Sequence, residues 1–253
     1  MNKDLYHYFM CRINVIILLS LLCYINGYKN LKYGRIVSPR TLLFSTSVSY
    51  VSKAPYEDII PFLSEHIQLS DQLLFVGAKT DMPLRLVKER YGIEKTGFMI
   101  VVDSDVNAIN ELTNMANSDV EIKKHIDSGK LKFKAVDLTS MADVCKQSTI
   151  DAIVDYGGLD DVLTQKGKDA MLKTIDHLQN AVRLGNILVC LSKLDKESFC
   201  SPFEERFGWV QELDGDPGEI SAWYRGKSNI QATKSNFKSH QLKMYVYTNT
   251  DNC

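Results

Sequence analysis

The chain has 253 residues, of which 45% are hydrophobic and 24% charged, a composition that suits an ordinary globular protein with one sizeable core. Of its 30 basic and 31 acidic residues, seven basic and one acidic lie within residues 1–56, which leaves the rest of the chain with a net charge of −7. Such an acidic body disfavours a nucleic-acid partner, because proteins that grip phosphates do so with Lys and Arg. A protein or small-molecule partner is favoured instead.

The six cysteines and five histidines form no pattern typical of a metal or catalytic site. Cys11 and Cys23 lie near the amino terminus, and the other four cysteines are too widely spaced for a metal knuckle or a dense disulfide framework. A nucleophilic cysteine needs a base beside it, and the histidines give no local pattern of that kind. We therefore predict no metal site and no role for the thiols in catalysis.

Residues 1–27 have the pattern of a signal peptide, because Lys3 and Arg12 flank the start of an apolar run over residues 13–25 that is too short to cross a bilayer comfortably. Residues 28–53 carry basic residues, Ser and Thr but no acid, as organelle transit peptides do. Together they resemble the bipartite leader of proteins sent to a secondary plastid such as the apicoplast of apicomplexan parasites. The alternatives are secretion, residence in the lumen of the endoplasmic reticulum, or a membrane-anchored start. We expect no stable membrane span after leader removal.

Strand-like and helix-like segments alternate from residue 54 onward. The apolar runs predict strands over residues 72–76, 98–103, 131–136, 152–154 and 187–191. Helical spacing of apolar residues is found over residues 56–67, 83–92, 106–115 and 171–182, and a further helix is expected to begin after the glycine-containing turn that follows the fourth strand. Strands that alternate with helices of this length predict a parallel, doubly wound sheet.

The carboxyl-terminal part of the chain breaks this alternation. Residues 209–213 and 243–248 have the composition of strands, and the turn-rich residues 214–218 and the polar residues 225–241 lie between them. This arrangement predicts a terminal antiparallel hairpin with a long loop. The whole of residues 54–253 is thus expected to form one α/β domain, a Rossmann-like doubly wound sheet of seven strands.

Glycine and aspartate residues follow the predicted parallel strands. Gly77 follows the first strand, Asp103 and Asp137 end the second and third, and Asp155 ends the fourth. Because the carboxyl ends of parallel strands meet at one edge of a sheet, these residues should line a common crevice where a ligand binds. No G-x-G-x-x-G pattern opens the first helix, which disfavours a nicotinamide-dependent dehydrogenase.

Five parallel strands followed by an antiparallel pair resemble the class I S-adenosylmethionine-dependent methyltransferases. By this resemblance, Gly77, Ala78 and Lys79 would form the first cofactor-binding loop. Asp103 would accept hydrogen bonds from the ribose hydroxyls, since a carboxylate offers two acceptor oxygens to a vicinal diol. Ser104 would belong to the same cofactor site.

The resemblance also assigns roles to the residues that follow the third and fourth strands. Asp137 would lie near the adenine amino group, with Leu138 against the ring. Asp155 would close the methyl-transfer pocket, contact the cofactor and orient an acceptor amine. From its own chemistry and not from the resemblance, Tyr156 is expected to contribute an aromatic wall or a hydroxyl group to the same catalytic pocket.

The segment from residue 154 to residue 163 resembles the D-K-G-T-L-D-A-L motif of a methyltransferase-like family that contains elongation-factor lysine methyltransferases, and the similarity extends over residues 54–213. It implies a protein lysine methyltransferase. The chain differs from the family pattern at Lys79, where the second glycine of the first motif is expected, and at Tyr156 and Gly158, where Lys and Thr are expected.

Two alternatives stay open: a catalytically inactive methyltransferase-like binding module, and a small-molecule or RNA methyltransferase. In the purely structural alternative, Asp155 orders the turn and Asp160 caps the following helix.

Overall fold

The computed structural model describes residues 51–52, 56–144, 147–217, 219–220 and 242–250. The predicted leader lies outside the described residues except for Val51 and Ser52, and so does the predicted loop over residues 225–241. The assignments made for these segments therefore stay predictions.

The strands and helices of the described residues alternate along most of the chain. The strands are β1 (Gln72–Val76), β2 (Phe98–Asp103), β3 (Leu131–Ala135), β4 (Ile150–Tyr156), β5 (Val182–Ser192), β6 (Trp209–Gly215) and β7 (Lys243–Asn249). The α-helices are α1 (Ile60–His66), α2 (Met82–Lys88), α3 (Val106–Ser118), α4 (Val120–Asp127), α5 (Gly158–Lys166), α6 (Lys168–Ala181) and α7 (Lys196–Glu204). Short 3-10 helices cover Tyr56–Asp58 and Leu138–Asp143.

The seven strands form one sheet in the order β3-β2-β1-β4-β5-β7-β6. Strands β1 to β5 pair in parallel, whereas β7 lies between β5 and β6 and runs antiparallel to both. The predicted doubly wound sheet of seven strands with a terminal antiparallel hairpin is therefore confirmed. Because β7 lies inside the sheet, both edges of this strand are hydrogen-bonded to neighbouring strands.

The core has two layers because the central strands are buried on both faces. Along β1, Leu73 and Phe75 point into one apolar cluster, and Leu74 and Val76 point into the other, as expected for a strand in which side chains alternate. Helices α1 to α4 cover the first cluster, and α5 to α7 cover the second. Helix α4, which precedes β3, and helix α5, which follows β4, therefore lie on opposite faces of the sheet.

Two helices were not predicted from the sequence. The helical pattern over residues 106–115 continues to Ser118, and α4 then begins after Asp119, whose carboxylate accepts hydrogen bonds from two backbone N–H groups of the new helix. Helix α7 contains Pro202, which conceals its helical pattern, although Asp195 caps its amino end through the Ser198 N–H. Both helices are short, and both begin at a capping aspartate.

Strand β5 is longer than predicted, because it begins at Val182 rather than at residue 187. The strand is irregular near Gly185: Ile150 pairs with Val182, but Ala152 pairs with Ile187. Among the described residues, no helix is long and apolar enough to pass through a membrane.

Candidate functional site

The ends of β1 and β4 form a crevice at the carboxyl edge of the sheet. From β1 the chain turns to α2 on one face, and from the neighbouring β4 it turns to α5 on the other face. Loops that leave adjacent parallel strands in opposite directions open a space between them, which is where open α/β sheets bind ligands. The predicted site residues after β1, β2 and β4 lie around this point.

Two glycine-containing turns pack against each other at the base of the crevice. Gly77 has φ +97°, and a Cβ atom at this position would lie 2.5 Å from the carbonyl oxygen of Tyr156. A Cβ atom on Gly158 would lie 2.7 Å from Cγ1 of Val76 and 3.2 Å from the Gly77 nitrogen. Glycine is therefore required at both positions by the approach of the protein backbone itself. Gly77 was predicted as part of a cofactor-binding loop, and its contact with the end of β4 was not predicted.

Asp103 joins the end of β2 to the loop after β1. Its Oδ2 atom accepts a hydrogen bond of 2.6 Å from the Ala78 N–H, and its Oδ1 atom accepts one of 2.8 Å from the Asp105 N–H. Burial raises the pKa of Asp103, and the two hydrogen bonds oppose this rise. Each carboxylate oxygen has a second lone pair, so Asp103 can still accept a hydrogen bond from a ligand. The adjacent Ser104 is exposed.

Lys79 spans the mouth of the crevice. Its Nζ atom lies 2.7 Å from Oδ2 of Asp161, which belongs to the first turn of α5. Burial lowers the pKa of Lys79, but the hydrogen bond and the charge of Asp161 outweigh this effect, so the pKa is raised. Both side chains stay partly exposed, at 40% and 33%. The residue that replaces the expected glycine thus forms an ion pair with the far side of the site.

The backbone of the loop after β1 is held by Ser52. The Ser52 N–H donates a hydrogen bond of 2.9 Å to the Lys79 carbonyl oxygen, and the Asp81 N–H donates one of 2.9 Å to the Ser52 carbonyl oxygen. The Ser52 hydroxyl also donates to the Lys79 carbonyl oxygen. This contact was not predicted, because residues 28–53 have the composition of a leader.

Asp155 is fully buried between β4 and α5. Its Oδ1 atom accepts a hydrogen bond of 3.1 Å from the Leu159 N–H, whereas its Oδ2 atom has no hydrogen-bond partner. Burial, followed by the negative charge of Asp160, raises the pKa of Asp155 well above its usual range. Burial therefore favours the protonated form of this side chain. Its predicted contact with an acceptor amine stays a prediction.

Asp160 anchors α5 to the end of β5. Its Oδ1 atom accepts a hydrogen bond of 2.6 Å from the Ser192 hydroxyl, and its Oδ2 atom accepts one of 2.8 Å from the Lys193 N–H. Burial raises the pKa of Asp160, and these hydrogen bonds oppose the rise. Its side chain therefore connects two elements instead of capping the helix in which it lies.

Tyr156 is the half-buried side chain at the end of β4. It packs at the margin of the first apolar cluster. Burial raises the pKa of its hydroxyl group, and the charge of Asp81 adds to the rise. The next residue, Gly157, has φ +72° and donates its N–H to the Leu191 carbonyl oxygen at 3.1 Å. A neutral phenol thus stands next to the turn that begins α5.

The residues after β3 lie at the same edge but farther from the crevice. The Oδ1 atom of Asp137 accepts hydrogen bonds from Lys166 Nζ at 2.7 Å and from the Thr139 N–H at 2.9 Å. The Lys166 hydrogen bond is the main cause that lowers the pKa of Asp137 to about 2. Leu138 is buried within the second apolar cluster. Its predicted contact with an adenine ring stays a prediction.

No group of three or more His, Cys, Asp or Glu side chains suited to a metal ion is present in the part of the chain that the structure describes. Cys190 and Cys200 are free thiols and are buried. Burial is the main cause that raises the pKa of both. A buried neutral thiol is a poor nucleophile.

No protein-family model matches the chain, and no curated protein sequence matches it. Among solved structures, it is similar to a TehB-like SAM-dependent methyltransferase from Corynebacterium glutamicum, with a TM-score of 0.50 and 14% identity over 78% of this chain and 89% of that chain. Another similar structure is the N-methyltransferase NodS from Bradyrhizobium japonicum in complex with S-adenosyl-L-homocysteine, with a TM-score of 0.49 and 12% identity over 77% of this chain and 85% of that chain. The chain has the α/β fold of class I SAM-dependent methyltransferases.

Proposed function

We propose that the chain is an S-adenosylmethionine-dependent methyltransferase whose cofactor binds in the crevice between the ends of β1 and β4. The observation that carries this proposal is the buried carboxylate of Asp103, which is hydrogen-bonded to the Ala78 N–H at the point where the strand order of the sheet reverses. This is the position at which a doubly wound sheet presents a carboxylate to a ribose diol. The shared fold supports the proposal.

The residues of the crevice fit such a cofactor in chemistry. Asp103 retains acceptor capacity for hydroxyl groups, and Ser104 is exposed beside it. Lys79 and Asp161 offer one positive and one negative charge. When bound, the cofactor would supply an activated methyl group on a sulfonium leaving group. The task of the protein is then to align donor and acceptor and to keep water out.

We propose a lysine amine of a protein as the acceptor. The net charge of −7 after residue 56 favours a cationic partner, and Tyr156 provides an uncharged aromatic side chain at the end of β4. Because Asp155 is fully buried, Tyr156 is the better placed of the two predicted catalytic residues to touch an acceptor. The amine must be deprotonated before it can attack the methyl group, so transfer should rise with pH.

Calorimetric titration of the full chain with S-adenosylhomocysteine tests the cofactor assignment. We expect the wild type to bind and Asp103→Asn to lose about tenfold or more in affinity, because an acceptor oxygen becomes a donor. Asp127→Asn on the exposed face of α4 is the matched control and should bind like the wild type. A wild-type chain that binds nothing would refute the cofactor assignment.

Transfer of a labelled methyl group into a fractionated lysate tests the acceptor. After acid hydrolysis of the labelled protein fraction, we expect the label in methylated lysine. Label recovered in RNA or in small molecules would instead support the alternative acceptors. Tyr156→Phe should retain transfer if the ring forms a wall and should lose it if the hydroxyl is needed.

A second candidate function is a methyltransferase-like binding module without activity. Two observations favour it: the Lys79–Asp161 ion pair crosses the crevice, and both oxygens of Asp103 already accept hydrogen bonds from the backbone. In that case, the wild type would bind no S-adenosylhomocysteine and Lys79→Gly would restore binding. Methyl transfer by the wild type would exclude this candidate.

We also propose that residues 1–53 direct the protein to a plastid through the secretory pathway. The proposal rests on the apolar run followed by a basic, acid-free segment. A fluorescent reporter fused to residues 1–53 should enter the plastid of an apicomplexan parasite. Secretion of the reporter or its retention in the endoplasmic reticulum would support the alternatives.

A further inference from the structure

Lys79 brings a positive charge close to three carboxylates at the carboxyl edge of the sheet. Its Nζ atom lies 2.7 Å from Asp161, and the charges of Asp103 and Asp105 also stabilise its ammonium form. Asp161 in turn acts on Asp103 and Asp155 through its charge. Lys79, in the loop after β1, and Asp161, in α5, therefore place a positive and a negative charge side by side at this edge of the sheet.

This ion pair occupies a defined place relative to Asp103. Asp103 lies on the β2 side of the loop after β1, whereas Asp161 lies beyond the end of β4 on α5. A nucleoside held at Asp103 that extends across the sheet toward β4 would meet Lys79 and Asp161 with its other end. Both Lys79 and Asp161 can pair with the far end of such a ligand only if that end carries a negative and a positive charge.

The side chains of the pair can move while the backbone beneath Lys79 stays fixed. The Ala78 N–H is held by Asp103, and the Lys79 carbonyl oxygen accepts hydrogen bonds from the N–H and hydroxyl of Ser52. The side chains themselves are 40% and 33% exposed, and ion pairs of such exposure contribute little to stability. Opening the pair is therefore a small local change.

We propose that the Lys79–Asp161 ion pair is the binding device for a zwitterionic amino-acid group, which enters by separating the two side chains. Lys79 Nζ then pairs with the carboxylate of the ligand, and the Asp161 carboxylate pairs with its ammonium group. One ion pair is exchanged for two, so each charge stays compensated. This inference rests on the proposed function of the crevice, and it explains why a lysine is tolerated where the resembling family has glycine.

Two ligands that differ only in the amino-acid group test this inference by calorimetric titration of the full chain. S-adenosylhomocysteine carries the zwitterion, and 5′-methylthioadenosine lacks it. We expect Lys79→Met and Asp161→Asn each to weaken S-adenosylhomocysteine about tenfold and to leave methylthioadenosine within about twofold. Lys123→Met, which breaks an exposed ion pair on α4, is the control and should change neither affinity.

The outcomes separate this inference from the function on which it rests. If methylthioadenosine binds but Lys79→Met leaves the affinity for S-adenosylhomocysteine unchanged or increases it, the ion pair does not recognise the zwitterion and the inference is wrong, while the nucleoside site stands. If the wild type binds neither ligand, the nucleoside site and the inference fall together. Equal thermal unfolding midpoints for the variants and the wild type establish that a loss of affinity is not a loss of folding.

Discussion

The ends of β2 and β4 each carry a buried aspartate, but the two carboxyl groups have different surroundings. Asp103 accepts a backbone hydrogen bond on each oxygen, whereas Asp155 accepts one on Oδ1 and has no partner for Oδ2. Burial raises the pKa of both, but only at Asp103 do hydrogen bonds to both oxygens oppose it. An apolar strand that ends in aspartate therefore does not define what the aspartate does.

The β2 and β4 sides of the crevice therefore have different roles. The β2 side holds a carboxylate with lone pairs left for a ligand, close to an exposed serine. The two buried acids on the β4 side have structural roles, since Asp155 supports the start of α5 and Asp160 connects α5 to β5. Ligand binding is therefore expected from Asp103 but not from Asp155 or Asp160.

The contact between the two sides should have the largest effect on stability. We expect Gly77→Ala to lower the free energy of unfolding by roughly 3–5 kcal/mol, because the new methyl group meets the Tyr156 carbonyl and φ is positive. Gly129→Ala is the control, since φ is +73° there but the nearest atom is 3.9 Å away, and it should cost about 1–2 kcal/mol. If urea unfolding shows that both variants lose the same free energy of unfolding, Gly77 does not pack against the end of β4.

Removal of the anchor between α5 and β5 should have the next largest effect. Asp160→Ala leaves the Ser192 hydroxyl and the Lys193 N–H without their partner, so we expect a loss of about 2–3 kcal/mol in urea unfolding. Asp195→Ala removes an exposed helix cap and should cost about 1 kcal/mol. A loss at Asp160 no greater than at Asp195 would contradict the structural role of the β4 side.

The burial of Asp155 should make the stability of the protein depend on pH. The pKa is higher in the folded state, so the contribution of Asp155 to stability is complete below about pH 4 and is lost as the pH rises toward the folded pKa. The side chain of the Asp155→Asn variant cannot ionise. The free energy of unfolding of this variant should therefore fall less steeply with pH than that of the wild type, by up to about 1.4 kcal/mol per pH unit. Urea unfolding at pH 4, 5.5 and 7 gives the free energy of unfolding of the wild type and of the variant. If this free energy changes with pH in the same way in both proteins, the fold does not raise the pKa of Asp155.

The smallest effect is expected at the surface, after β3. Lys166→Met removes the main cause that lowers the pKa of Asp137 to about 2, and the pKa should return toward about 4. The wild-type pair stabilises the fold above about pH 4, and this contribution is lost as the pH falls toward 2. Because Asp137 is 48% exposed, the loss at pH 7 should stay below about 1 kcal/mol. NMR titration of the Asp137 carboxyl group checks the shift, and an unchanged pKa would contradict the contact.

The parts of the fold that follow local patterns could be predicted from the sequence. The bounds of β1 and β2 agree with the prediction because both are continuous apolar runs that stop at glycine or aspartate. Helices α4 and α7 were missed, since each is short and its helical signal is interrupted, at Asp119 before α4 and at Pro202 within α7. The insertion of β7 between β5 and β6 has no local signal, because it depends on the order of strands in the sheet.

By itself the sequence determined the class of fold and the positions of the acids and glycines at the strand ends, since period and composition are local properties of the chain. Only the tertiary structure decided which atoms those residues meet. Lys79 and Asp161 are 82 residues apart and Asp160 and Ser192 are 32 residues apart, yet each pair is in contact. Such contacts arise because the sheet brings the ends of β1, β4 and β5 to one edge, which no stretch of sequence encodes alone.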